Sequence, residues 1–162
     1  MPHFAFGMTG QIIVLPVPAA AYPGTGDDLT MDTAVNSNVF TSGPGNDIKT
    51  AVVADIVVIR SQSPNAAYNG FPLILVAEAF PTGSPPTGAL PGIHVDALAT
   101  IVIGFGTGPF GPTVLVPGGV IVGFIVPLGL TGTSAIFQPI VLAAASLNGI
   151  YAAGAAHEFQ IL

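Results

Sequence analysis

The chain has 162 residues and a mass of 16.2 kDa, the size of one ordinary domain. Its charged fraction is 6%, against about 25% in soluble domains, with two basic residues, Lys49 and Arg60, and eight acids. A pI ≈ 4.4 leaves no basic surface for nucleic acid, 51% hydrophobic residues exclude disorder, and the absence of cysteine excludes disulfides, zinc-thiolate centres and thiol nucleophiles.

Glycine and proline, 21 and 16 residues, recur along the chain and interrupt any helix. The uninterrupted pieces are short and rich in Val, Ile, Phe and Thr, which predicts strands. In chain order these are 11–17, 28–35, 48–60, 73–80, 94–105, 113–116, 120–126, 135–144 and 158–162. Turn dipeptides such as Pro23-Gly24, Pro44-Gly45, Asn69-Gly70, Pro91-Gly92 and Asn148-Gly149 separate them. The alanine-rich stretches 141–146 and 150–157 are too short and too near glycine to be read as helices. Residues 82–91 read as an irregular loop. The pattern implies an all-β fold, an antiparallel, jelly-roll-like sandwich spanning 22–162, with 1–21 as an extended N-terminal arm.

The strand 28–35 alternates as a half-solvated strand should, with Leu29, Met31, Thr33 and Val35 opposite Asp28, Thr30 and Asp32. The strands 98–105, 120–126 and 136–142 do not: Val120, Val122, Phe124 and Val126 lie opposite Ile121, Gly123 and Ile125, and Ile136, Ile140 and Leu142 lie opposite Phe137, Pro139 and Val141. No charge falls between Ala97 and Ala156. A monomer of this mass exposes about 7,500 Å², and apolar patches beyond a few hundred Å² are rare on such a surface. With no helix to cover the second faces, the expected cover is another copy of the chain. A membrane is disfavoured as the partner. Pro117, Gly118, Gly119 and Pro127 break the most apolar stretch, and without Trp and with only three Tyr the chain lacks the aromatic girdles of a membrane barrel.

The arm supplies a means of assembly. Gln11, Ile12, Ile13, Val14, Leu15 and Val17 form an apolar extended segment able to complete a neighbour's open sheet edge. A head-to-tail contact of this kind propagates as a filament unless the rotation closes a ring. As an export signal the arm is poor, since no Lys or Arg precedes the apolar run and Pro16 and Pro18 interrupt it.

Chemical sites are sparse. Asp27, Asp28, Asp32, Asn46 and Asp47 are oxygen ligands of the type calcium takes, but they lack a defined loop spacing and equally suit turn chemistry. His94 and Asp96 would share a strand face, yet His3 and His157 offer no third ligand for zinc. Ser134 and Ser146 have no adjacent base. Gly104-Phe105-Gly106-Thr107-Gly108 lacks the lysine and helix of a phosphate loop, and Glu78 with Asp96 could form a carboxylate pair only through folding. With so few titratable groups, no enzyme is expected. Tyr22, Tyr68 and Tyr151 are scattered, so carbohydrate recognition has weak support.

Four stretches carry a family likeness: Gly24-Thr25-Gly26-Asp27-Asp28-Leu29, Gly43-Pro44-Gly45-Asn46-Asp47-Ile48-Lys49, Phe110-Gly111-Pro112 and Ala156-His157-Glu158-Phe159-Gln160-Ile161-Leu162. In order and turn chemistry they resemble β-rich domains of secreted planctomycete proteins, a family without a settled activity. The resemblance implies an extracellular or cell-surface setting and an all-β domain, and brings no catalytic residues. The expected function is a structural subunit of an extracellular assembly. The alternative is a secreted adhesion or carbohydrate-binding module, with or without calcium.

Overall fold

The computed structural model describes residues 21–88, 90–96, 101–104 and 114–162, the last two residue groups differing in that only the backbone of 101–104 is described. The expected all-β sandwich is what forms, with no helix among the described residues. Among the described residues nine strands run β1 (Thr30–Val35), β2 (Ile48–Ala51), β3 (Ile56–Gln62), β4 (Leu73–Pro81), β5 (Ile101–Gly104), β6 (Val120–Ile125), β7 (Thr133–Leu142), β8 (Tyr151–Ala153) and β9 (His157–Ile161). They divide into a three-stranded sheet, β1-β3-β6, and a six-stranded sheet, β2-β9-β7-β4-β5, with β8 also pairing β7. Every pairing between these strands is antiparallel except β2 with β9, a parallel exception to the expected pattern.

The expected strand 48–60 divides in two because the chain changes sheets within it. Ala51 pairs with Ile161 in the large sheet, and Ile56 pairs with Ile125 in the small one. The turn between them needs neither glycine nor proline. Ala54 takes φ 73, Val52 N donates to Asp55 Oδ2 (2.7 Å) and Asp55 N to Val52 O (3.0 Å). Residues 94–96, expected within a strand, are irregular, and Val114 of the expected strand 113–116 forms a bridge with Pro72, while 97–100, 105 and 113 of these two expected strands lie outside the described residues. The expected arm, residues 1–20, lies outside the described residues, so Gln11, Ile12, Ile13, Val14, Leu15 and Val17 do too.

Pro139 sits inside the central strand β7, where a missing N–H ordinarily disrupts a ladder. Its carbonyl accepts from Gly154 N (3.1 Å), on the side away from β4. A residue's N and O point to the same side of a strand. The missing donor therefore faces the gap between β9, which ends its pairing at Phe137, and β8, which begins at Ile140.

Alternation along the large sheet sends side chains to two cores. Leu75, Ala77, Phe137, Phe159 and Ile161 meet Met31, Val57 and Ile59 of the small sheet between the layers. Val76, Phe80, Ile136 and Ile140 point the other way and are buried with Tyr22, Val95, Tyr151, Ala153 and Ala156. A third cluster, including Leu29, Tyr68, Leu73, Leu115 and Val141, also draws on loop residues. The second face of β7 was expected to need another subunit, and here irregular segments of the same chain cover it.

This cover demands close backbone approach. Thr25 N donates to Ala153 O (2.9 Å) and Ala156 N to Tyr22 O (2.9 Å), and a Cβ on Gly24 would stand 2.2 Å from Ala153 O. Gly45, at φ 82, has open space instead. Gly24→Ala should therefore lower stability by about 3 kcal/mol, against about 1 kcal/mol for Gly45→Ala, measured by urea unfolding. Equal losses would contradict the close approach.

Candidate functional site

The covered face of the large sheet holds four polar side chains among its apolar ones. Glu78 on β4, Ser134 and Gln138 on β7 and Glu158 on β9 are all buried. An irregular segment laid over a sheet brings backbone N–H and C=O groups into an apolar layer, where each needs a partner. These side chains supply several of them. Gln138 Oε1 accepts from His94 N (2.8 Å), and its Nε2 donates to Gly92 O (2.6 Å) and Gly154 O (2.9 Å). Glu78 Oε2 accepts from Asp96 N (2.6 Å). Glu158 accepts from Tyr22 OH, from Ser134 Oγ (2.8 Å) and from Gln160 Nε2 (3.1 Å). Burial first, and then the bond to Glu158, push the Tyr22 hydroxyl pKa above its ordinary value, so the phenol stays a proton donor.

The oxygen ligands singled out for calcium fall in different places. Asp27 accepts from Thr25 Oγ1 (2.6 Å), Tyr68 OH (2.6 Å) and Leu147 N (2.9 Å), tying three segments together. Asp28 organises the turn after β3, accepting from Ser63 Oγ, Asn65 N (3.0 Å), Asn65 Nδ2 (2.8 Å) and Ala67 N (3.1 Å). For both acids burial works to raise the pKa, and these donors lower it by more, leaving each below the usual value. The Tyr68 hydroxyl is pushed up to about 12 by burial and by its bond to Asp27. Asp32 receives Arg60 Nη2 (2.6 Å), Arg60 Nε (3.1 Å) and Gln62 Nε2 (3.1 Å), its cross-strand neighbours, while the guanidinium carbon stands 4.7 Å from the centre of the Phe40 ring. Asp47 accepts from Ala21 N, and the Asn46 carbonyl accepts from Lys49 Nζ. No group of three or more His, Asp or Glu side chains suited to a metal ion occurs among the described residues.

His94 and Asp96 lie in the covering segment rather than on a shared strand face. His94 Nε2 donates to Pro23 O (2.7 Å), and its ring meets Tyr22 edge-on at 5.6 Å. The structure does bring Glu78 beside Asp96, through the Asp96 backbone amide. Ser134 bonds Thr82 Oγ1 (3.1 Å) and Glu158, and Ser146 Oγ donates to Ala143 O (2.7 Å). His157 and Glu158 point to opposite faces of β9.

His157 is wholly buried between the sheets, with Nδ1 2.8 Å from Thr33 Oγ1 and Nε2 without a partner among the described residues. Burial, aided by the nearby Lys49 charge, lowers its pKa to about 4, against the opposite pull of Asp47 and Asp32.

On the outer side of the small sheet, Ile56, Ile121 and Ile125 are 50%, 59% and 64% exposed, and the register places Ile125 opposite Ile56 and Ile121 opposite Arg60. Between the layers beside β6 lies a half-open cleft of about 300 Å³, lined by Val57, Val122, Phe124, Leu130, Phe137 and Phe159 among others. Phe124 and Phe137 stack there at 5.1 Å. The alternation of 120–126 announced this two-sided apolar strand. Its pairing with β3 at one end of the strand order of the described residues was not visible in the sequence.

No protein-family model and no curated protein matches the chain. A solved structure of a cellulose-active polysaccharide monooxygenase from M. thermophila is similar to it at 14% identity and a TM-score of 0.39, over 73% of this chain and 57% of that one. The chain thus spans little more than half the length of that enzyme. The expectation that the chain is no enzyme is overturned by this match to one, and is withdrawn. At this TM-score the likeness assigns no activity. No helix among the described residues is long and apolar enough to cross a membrane.

The buried histidine makes stability depend on pH. The unfolded chain takes up a proton near pH 6.5 and the folded chain only near 4, so protons favour unfolding between those values. Stability attributable to this group is complete above about pH 7 and falls by on the order of 3 kcal/mol as pH drops to about 4. In His157→Gln, urea unfolding should show a shallower loss over this window. An unchanged slope would contradict the assignment.

Proposed function

We propose that this chain is a structural subunit of an extracellular or cell-surface protein assembly, joined to copies of itself through the outer face of the three-stranded sheet. The observation that carries this reading is the set of exposed isoleucines, Ile56, Ile121 and Ile125, on the outer face of the adjacent strands β3 and β6. Strand β6 carries no charge, and exposed edge strands usually rely on charged side chains to prevent pairing between molecules. Burying such side chains contributes about 1.5–3 kcal/mol each, and a repeated contact accumulates that gain across the assembly. The extracellular setting rests on the likeness of the turn motifs to those of secreted domains.

Sedimentation velocity of the full chain over a range of concentrations should show self-association. The double substitution Ile121→Arg with Ile125→Arg, on outward positions that leave both cores intact, should weaken it by roughly 100-fold or more. Single copies of the unsubstituted chain at every concentration, or association indifferent to both arginines, would overturn the proposal.

A further inference from the structure

We infer that Ser134 and Gln160 react to form an ester that joins β7 covalently to β9, with Glu158 carrying the proton. The register sets Ser134 directly opposite Gln160, so their side chains leave the same face of the large sheet, and Glu158, two residues before Gln160, leaves it too. Glu158 Oε1 accepts from Ser134 Oγ (2.8 Å) and from Gln160 Nε2 (3.1 Å), while its Oε2 accepts from Tyr22 OH. An alcohol, a carboxylate and a primary amide thus meet at one oxygen atom. Ser134 has no base beside it along the chain, and folding supplies one. Thr82 Oγ1 stands 3.1 Å from the same serine oxygen. A carboxylate only accepts, whereas threonine can donate, so the Ser134 proton points at Glu158.

The step balances without a co-reactant. Ser134 Oγ attacks Gln160 Cδ as Glu158 Oε1 takes its proton, and the tetrahedral adduct collapses by breaking the Cδ–Nε2 bond. The same carboxylate oxygen, already bonded to Nε2, returns the proton to the departing nitrogen. One C–O bond forms, one C–N bond breaks and ammonia leaves, with nothing oxidised or reduced. Holding both groups on adjacent strands replaces a bimolecular encounter with a step inside one chain, equivalent to a concentration of about 10⁵ M or more when the groups are well aligned. Ser134 is fully buried and Glu158 is 3% exposed, which keeps water from the ester once formed. Gln160 is partly exposed and gives ammonia a way out. Protonated in neutral solvent, the ammonia cannot attack in return. The product clamps β9 to the centre of the large sheet in a chain that has no cysteine for a disulfide.

The inference does not depend on self-association. The intact mass of the folded full chain, measured after prolonged incubation at neutral pH, should fall below the mass of its sequence by one ammonia, about 17 Da. A succinimide at Asn69-Gly70 or Asn148-Gly149 loses the same mass but joins no peptides. Chymotryptic cleavage of the denatured chain, after Phe137 and Tyr151 among other sites, should therefore release the Ser134 and Gln160 peptides as one joined species that hydroxylamine separates. Ser134→Ala, Gln160→Ala and Glu158→Gln, each checked for folding by circular dichroism, should keep the full sequence mass. The full mass in the unsubstituted chain, a mass loss without the joined peptides, or joined peptides from Glu158→Gln would overturn the inference.

Discussion

A sheet that is apolar on both faces, with no helix among the described residues to lay over it, must be covered by irregular backbone. That constraint organises the molecule. Irregular backbone carries N–H and C=O groups that cannot be left unpaired in an apolar layer. The large sheet meets this need with Gln138 and Glu78, which bond backbone groups of Gly92, His94, Gly154 and Asp96, while Glu158 holds the Tyr22 hydroxyl of the covering segment. Asp27 and Asp28 do the same for the turns at 63–68 and 147. Several of the few acids in the chain are thus spent on holding loops in place.

The two sheets are treated differently as a result. The six-stranded sheet has cores on both faces, built from one chain. The three-stranded sheet has a core on its inner face and, on its outer face, an Arg60–Asp32–Gln62 group beside bare isoleucines. The polar group sits toward β1 and the isoleucines toward β6, so the apolar surface gathers at an edge that also lacks a ladder partner among the described residues. Shape, hydrophobicity and open backbone coincide at one place, and the proposed contact between copies follows from that coincidence.

Much of this arrangement was legible in the sequence. The short β-branched runs and turn dipeptides marked β1, β4, β6, β7 and β9 close to their observed limits, and the double apolar alternation of 120–126 marked the exposed strand. The split of 48–60 was hidden because Val52-Val53-Ala54-Asp55 has no glycine or proline, and the turn depends on Asp55 and on a left-handed alanine. β8 was missed because Tyr151-Ala152-Ala153 is too short to show a period. The cover over β7 was invisible for a different reason: periodicity reports which faces are apolar, not what lies against them. A signal did exist. Glu78 and Gln138 are isolated polar residues at strand positions among apolar neighbours, the pattern of side chains that must bond buried backbone.

Hydrogen exchange of the full chain, resolved by segment and followed over a range of protein concentrations, tests this division between self-covered and bare sheet most directly. The amides of β4, β7 and β9 should be strongly protected at every concentration, while those of β6 should exchange readily in dilute solution and become protected as copies associate. Protection of β7 that itself depends on concentration, or of β6 that does not, would contradict the division.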